Sequence, residues 1–351
     1  MQPRINRSVA MNLSVSKVGI CASCLAVLPW GWPAGRLLAP AWRALLVALA
    51  LGWGTLGQSA AEAAHPLQCT LQREAGLIDV TYQGQRLLRY AFATNQFKPY
   101  VKELYTLKGD NVLLDAPPDH LHHHGLMYAV RVNGINFWEE AKDPGVQKPI
   151  GAPVCEILPG DGPPRARISH TIHWVASKDR WLTNTTPAAL LIERRDLTLT
   201  VSEPQQEVAL QWQASFELGP ATPKVTLTGA TYHGLGLRLP RVWDHVAKHG
   251  NSAGLPYSAE QKGDVTPAQW SVISHTVDGR DILVAVFSRG SNAGKAKFFT
   301  MLDAFAYVSA TQDLADVPLE YAAGEQFRLD YLVLVYPSHK SREFLQQRYE
   351  Q

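Results

Sequence analysis

Val208-Ala-Leu-Gln-Trp-Gln-Ala-Ser-Phe-Glu-Leu218 is the stretch that decides the fold. Val208, Leu210, Trp212, Ala214, Phe216 and Leu218 fall on one side of an extended chain, and Gln211, Gln213, Ser215 and Glu217 on the other. A period of two with one apolar face is the pattern of a half-buried β-strand. The same alternation recurs at Leu77 to Tyr82, Arg86 to Phe92, Arg165 to Trp174, Leu190 to Val201, Val225 to Leu239, Ile282 to Phe287, Phe298 to Val308 and Phe327 to Tyr336. Such spacing predicts about a dozen strands. Asn133-Gly134, Asp278-Gly279 and Gln83-Gly84 read as tight hairpin turns, so the pairing is mainly antiparallel. Helix is expected only at Ser341 to Gln351 and over Trp243 to His249. A chain of this kind must bury one face of each sheet, which predicts an all-β fold: a large antiparallel β-sandwich with a short C-terminal helix.

The 351 residues include 46% hydrophobic ones, enough for a real core. Lys and Arg number 33 against 31 Asp and Glu, a net charge of +2, which argues against a nucleic-acid footprint. Residues 1–64 read as a leader: Arg36 and Arg43 precede the apolar run Ala44 to Gly57, followed by the small residues around Ser59-Ala60-Ala61. That run falls short of the roughly 20 residues of a membrane span. The expectation is a cleaved signal peptide followed by a single β-sandwich domain over 65–351, exported to the periplasm or the cell exterior. An uncleaved leader is the one route to membrane attachment. Of four cysteines, Cys21 and Cys24 lie in the leader, which leaves Cys69 and Cys155 as a pair that an oxidising compartment could join.

The chemistry concentrates in Pro117-Pro118-Asp119-His120-Leu121-His122-His123-His124-Gly125, where four histidines occupy five positions behind a diproline. A neutral imidazole can ligate a transition metal or carry protons near neutral pH. In an extended strand His120 with His122, and His122 with His124, project to one face, the spacing of paired metal ligands. The metal reading therefore takes His120, His122 and His124 as ligands of a divalent transition metal. Asp119, His233, His245 or Glu139 could complete it. The acid–base reading takes His120, His122 and His123 as catalytic residues together with Glu193.

Parity along Leu190 to Val201 puts Glu193 and Arg195 on the apolar face, where a charged pair must be mutually compensated or must line a polar cavity. Parity along Lys224 to Arg238 puts His233 on an apolar face as well, followed by Gly234 and Gly236, two glycines in a strand that permit a bulge or a close approach of a ligand. Asp119, His124, Tyr128, Trp138, Arg195, His233 and Arg238 are the candidate substrate-binding residues. Tyr100, Tyr128, Phe137 and Trp138 could stack on sugar rings. No phosphate-binding glycine loop, dinucleotide fingerprint or nucleophile elbow is present.

The segments Asp119 to Leu126 and Val132-Asn133-Gly134-Ile135-Asn136-Phe137-Trp138 resemble the bacterial family catalogued as "methane oxygenase PmoA". Its members carry an Asp-His-x-His-His motif, a Gly-Leu and a later Asn-Gly-x-x-Phe-Trp. The resemblance extends through Glu193-Arg194-Arg195, Gly234 to Arg238 and Trp270 to Ser288. It departs at His124, where a basic residue is usual, and at Tyr232-His233, where an acidic residue and a glycine are usual. The family's later histidine segment is not recognisable after Phe287. The resemblance implies an exported β protein with a carbohydrate-related role. The leading expectation is an enzyme acting on a sugar or glycoside, as hydrolase, lyase or epimerase. The alternatives are a non-catalytic saccharide-binding module and the metal-dependent oxygenase of the family label.

Overall fold

The computed structural model describes residues 65–254 and 264–351, which fall within one compact unit, Ala61–Gln351. The expected leader lies outside the described residues. So does part of the polar stretch between His245 and Gln269.

The protein is all-β with antiparallel sheets. A nine-stranded sheet has the spatial order Leu67–Gln72, Leu77–Tyr82, Gln85–Ala91, Tyr100–Leu104, Leu126–Ala129, Gly234–Arg238, Tyr307–Thr311, Lys297–Met301, Asp264–Pro267. An eight-stranded sheet runs Lys248–Asn251, Trp270–Val277, Arg280–Ser288, Gln326–Tyr336, Glu207–Leu218, Leu191–Ser202, Arg165–Ala176, Gly145–Leu158. A small third sheet joins Leu319–Ala322, Lys224–Thr228, Arg131–Val132 and Ile135–Asn136. The inner faces of the two large sheets share one apolar core, in which Leu88 and Tyr90 of the first meet Trp174, Leu210, Trp212 and Phe216 of the second. Each such side chain contributes about 1.5–3 kcal/mol by leaving water.

The strand that opened the sequence reading behaves as its pattern requires: Val208, Leu210, Trp212, Ala214 and Phe216 are buried and Gln213 is exposed. In all three predicted turns both central residues are left-handed, with φ of 50° and 80° at Asn133 and Gly134, 50° and 75° at Asp278 and Gly279, and 49° and 82° at Gln83 and Gly84. That is the type I′ geometry, whose twist matches the flanking strands. The helix is Arg342–Glu350, and the Ser341 hydroxyl caps it by accepting from the Phe344 amide. Cys69 and Cys155 are joined by a disulfide.

Three expectations need correction. Val225 to Leu239 is not one strand: the chain leaves the small sheet at Thr228, turns so that the His233 amide donates to the Ala230 carbonyl, and enters the nine-stranded sheet at Gly234. Phe298 to Val308 is likewise a hairpin of two paired strands. Trp243 to His249 forms a single 3₁₀ turn, Arg241–Trp243, followed by the strand Lys248–Asn251. In the first two cases a continuous alternation hid a break, because apolar residues resumed in phase after it. Very short strands such as Arg131–Val132 bring the count among the described residues to 21, beyond the dozen expected.

Candidate functional site

The histidine run lies between the strands Tyr100–Leu104 and Leu126–Ala129 of the nine-stranded sheet. It does not extend. Pro118 occupies the position of a turn where a fixed φ near −65° is favoured, and the His120 amide donates to the Pro117 carbonyl at 2.9 Å. A second turn follows, from the His123 amide to the His120 carbonyl at 3.0 Å. Gly125 closes the loop with φ of 42°, and a Cβ there would lie 2.4 Å from the Val101 carbonyl oxygen. Two consecutive turns sort the imidazoles differently from a strand: His120, His122 and His123 gather, and His124 turns away. Ring centroids are 4.7 Å apart for His120 and His123, 4.5 Å for His122 and His123, and 5.8 Å for His120 and His122.

These three rings line a cavity of about 440 Å³, closed by Glu139, Tyr232, Phe299, Met301, Phe305 and Tyr307. The volume is within the range of about 300–1,000 Å³ common for small-molecule sites. Phe305 packs against His120 at 4.7 Å and His123 at 5.3 Å. Opposite the imidazoles, the Tyr232 hydroxyl donates to Glu139 at 3.0 Å, and Asn136 Nδ2 holds the other carboxylate oxygen at 2.7 Å. His120 is oriented by Asp119, 3.0 Å from its Nδ1, and Asp119 is in turn paired with Arg241. The His120 bond first, and Arg241 after it, carry the Asp119 carboxyl down to about 2.

Burial sets the proton affinities. His123 is lowered to about 2, first by burial and then by the charges of its histidine neighbours, Arg238 and Lys98. His122 is lowered for the same leading reason. Both imidazoles are therefore neutral at neutral pH, and burial leaves His123 too weak a base to take up a proton there. Tyr232 is raised by burial and by its bond to Glu139, which keeps its hydroxyl protonated.

His124 faces away from the cavity. Its ring stacks on Tyr100 at 4.5 Å, its Nδ1 meets Asp115 at 3.0 Å, and its Nε2 meets Glu140 at 3.0 Å. The buried Lys98 ammonium adds a 2.6 Å bond to Glu140 and a 3.2 Å bond to the Trp138 carbonyl. Burial lowers the His124 proton affinity, but the two carboxylates raise it by more. Sequence neighbours thus divide the work: His123 and Glu139 face the cavity, while His124 and Glu140 bind each other behind it. The triple of His120, His122 and His124 is not assembled, because both His124 nitrogens are held by carboxylates. Among the described residues no three histidine, cysteine or acidic side chains are placed to hold a metal ion.

Other candidates lie elsewhere. Glu193 and Arg195 form a fork in the core of the sandwich, with bonds of 2.6 and 2.9 Å, and the Trp174 indole donates to Glu193 at 2.8 Å. Neither lines the cavity; they are the mutually compensated pair. Tyr128 is buried and donates to Gln312 at 2.6 Å, also outside the cavity. Tyr100 and Phe137 are core residues too. Trp138 lies beneath the site, stacked on His233 at 5.1 Å and edge-on to His123 at 6.3 Å. His233 is buried, lowered to about 3 by burial, and adjoins the cavity through Tyr232. His245 is exposed and pairs loosely with Asp303 at 4.0 Å. Arg238 stacks behind Phe305 at 4.2 Å. The glycines beside His233 serve a close approach of protein rather than ligand: a Cβ on Gly236 would lie 2.0 Å from the Tyr307 hydroxyl and 2.7 Å from the Trp138 ring.

The cavity's aromatic wall, Phe299, Phe305 and Tyr307, and the polar pair of Tyr232 and Glu139 carried little sequence signal. Phe299 and Tyr307 sit in alternating strands, where an apolar residue reads as core.

Among solved structures the chain is similar to the galactosidase domain of an α-galactosidase–sucrose kinase, at 8% identity and a TM-score of 0.43, covering 77% of this chain and 42% of that one. It is also similar to a glycoside hydrolase family 36 α-galactosidase from Geobacillus stearothermophilus, at 12% identity and TM-score 0.38, covering 78% and 39%. A galactose mutarotase related enzyme from Lactobacillus acidophilus matches at 9% identity and TM-score 0.36, covering 73% and 97%. The chain spans less than half the length of either galactosidase structure. No curated protein matches the chain, so no named homologue carries the methane-oxygenase label or any other activity to it. Its sequence from residue 77 to residue 350 matches DUF6807, a family of unknown function, and the chain belongs to that family.

Proposed function

We propose that the protein is an exported enzyme that performs proton-transfer chemistry on a saccharide in the cavity beside the histidine loop. The observation that carries the reading is the convergence of neutral imidazoles with the Glu139–Tyr232 pair in a cavity walled by aromatic rings. Aromatic faces suit the apolar faces of a sugar ring, and the polar groups suit its hydroxyls. His122, neutral and lining the cavity, is the general base. Tyr232, held protonated, is the acid. Asp119, itself paired with Arg241, fixes the His120 ring, and that ring packs edge-on to His122 at 5.8 Å and so helps position the base. Hydrolase, lyase and epimerase chemistry all need this transfer. Export is supported by the leader and by the Cys69–Cys155 disulfide, which an oxidising compartment sustains.

The test is a saccharide screen with the mature, untagged protein and its His122→Ala variant. Turnover should fall by about 10²–10⁴-fold in the variant while circular dichroism and the thermal midpoint are unchanged. Turnover within a few-fold of wild type would remove His122 from the mechanism. The aromatic wall also favours a non-catalytic saccharide-binding module. Sugar binding without turnover by the wild type, lost in Phe305→Ala but kept in His122→Ala, would decide for that reading.

A further inference from the structure

Among the described residues two arginines are deeply buried, and they differ in how their donors are used. Arg195 is 1% exposed and stacks on Trp212 at 4.4 Å. Its Nε–Nη2 edge holds the Glu193 carboxylate at 2.6 and 2.9 Å, and its Nη1 donates to the Pro99 carbonyl at 2.8 Å. Arg238 is also 1% exposed and stacks on Phe305 at 4.2 Å. Its Nη1 is crowded, donating to the carbonyls of Leu239 at 3.2 Å and Ala306 at 3.0 Å and to Asp244 at 3.2 Å. Its Nε and Nη2 have no hydrogen-bond partner in the protein. Those two atoms form one edge of the guanidinium, the edge that takes a carboxylate side-on with two parallel bonds. A buried charged donor left without a partner is costly, so the empty edge calls for an acceptor from outside the chain.

The location fits. The ring that covers Arg238 is the cavity wall Phe305, and His123, whose Nδ1 is also buried without a partner, packs on the same ring at 5.3 Å. Phe305 follows Ala304, whose φ of 73° is a left-handed conformation unusual for a residue with a side chain. Asp244, the one carboxylate on Arg238, shares its Oδ1 with the Ala306 amide at 2.7 Å. Asp244 therefore bonds Nη1 and the Ala306 amide and takes none of the Nε–Nη2 edge.

We propose that the Nε–Nη2 edge of Arg238 is a carboxylate site of this cavity, reached when the Phe305 ring swings aside, and that the saccharide recognised is an acidic one bearing a uronate group. The substrate class rests on the saccharide reading above; the carboxylate site does not. The experiment measures binding of glucuronate and galacturonate against glucose and galactose by calorimetry, for wild type, Arg238→Lys and Phe305→Ala. Alongside it, the thermal midpoint is compared in sodium acetate and sodium chloride at equal ionic strength. Uronates should bind about tenfold or more tightly than the neutral sugars. Arg238→Lys, which keeps the charge but loses the fork, should abolish the preference. Phe305→Ala, which uncovers the Arg238 edge at the cost of the stacking wall, should be stabilised by acetate over chloride, a readout that survives if Arg238→Lys fails to fold. Neutral sugars bound as tightly as uronates would overturn the proposal and leave the saccharide reading standing. Acetate stabilisation of Phe305→Ala with no sugar bound would sustain the carboxylate site and overturn the saccharide. No response to acetate and no uronate preference would overturn the site itself.

Discussion

Glu193 and Arg195 show how little the position of a charged residue in a strand says about its use. The alternation of Leu191–Ser202 places both on the inner face, and both are indeed fully buried. Parity alone left two meanings open, a compensated pair or a ligand cavity. What closed the question was the fork of Arg195 on Glu193, the Trp174 indole on the same carboxylate, and the Gln147 side-chain amide oxygen Oε1, which accepts from Nη2 at 3.3 Å. Trp174 and Gln147 come from other strands, far from the pair in sequence. Removing one member of a buried ion pair strands the other, which costs about 3–5 kcal/mol. Glu193→Gln should therefore lower stability by that order in urea unfolding while leaving affinity for any cavity ligand unchanged. A variant of normal stability with lost turnover would return Glu193 to the catalytic residues.

The element on which the proposed function rests is the loop Pro117–Gly125, and its reading was half legible. The density of histidines marked the place, and the diproline marked a turn. The strand geometry assumed beyond it grouped alternate residues, whereas two successive turns group the first three histidines, His120, His122 and His123, and turn the fourth away. The difference lies in backbone hydrogen bonds that residue type does not specify. Across the rest of the fold, long strands with one wet face were readable from their alternation, and breaks at which the alternation resumed in phase were not.

The loop is anchored by His124 between Asp115 and Glu140, which yields a pH-dependent prediction. The folded His124 affinity is raised above its unfolded value near 6.5, so its contribution is complete below that pH and is lost as pH rises through the folded value. Glu140 is held down to about 2 and remains ionised across that window. His124→Gln should cost about 3–5 kcal/mol near pH 6, and the gap from wild type should narrow toward alkaline pH. Denaturant melts at about pH 6 and 9 measure it. A gap independent of pH would mean that His124 acts through packing rather than charge.

At the scale of the whole molecule the balance of histidines runs the other way. His123 and His233, both packed on Trp138, and His170, against Tyr90 and Phe92, are buried and lowered by burial to about 2, 3 and 3 respectively. A histidine whose folded affinity is depressed binds its proton more readily when unfolded, so stability is complete above about pH 6.5 and falls as pH drops toward the folded value. Each such group lowers stability by about 1.4 kcal/mol per pH unit in that window, and three together by about 4. Against a total of about 5–15 kcal/mol, that is enough to unfold the protein within a few pH units. Acid unfolding should therefore begin below about pH 6 and reach its midpoint above about pH 4, before most carboxylates are protonated. Replacing His233, which stacks on Trp138 and has neither ring nitrogen bonded, by phenylalanine should flatten that slope by about a third. Tryptophan fluorescence and circular dichroism followed from pH 7.5 to 3 give the slope directly. A protein whose stability stays level down to pH 4 would show that water or local opening reaches these imidazoles, and the neutral histidines assigned to the cavity would lose their physical basis with it.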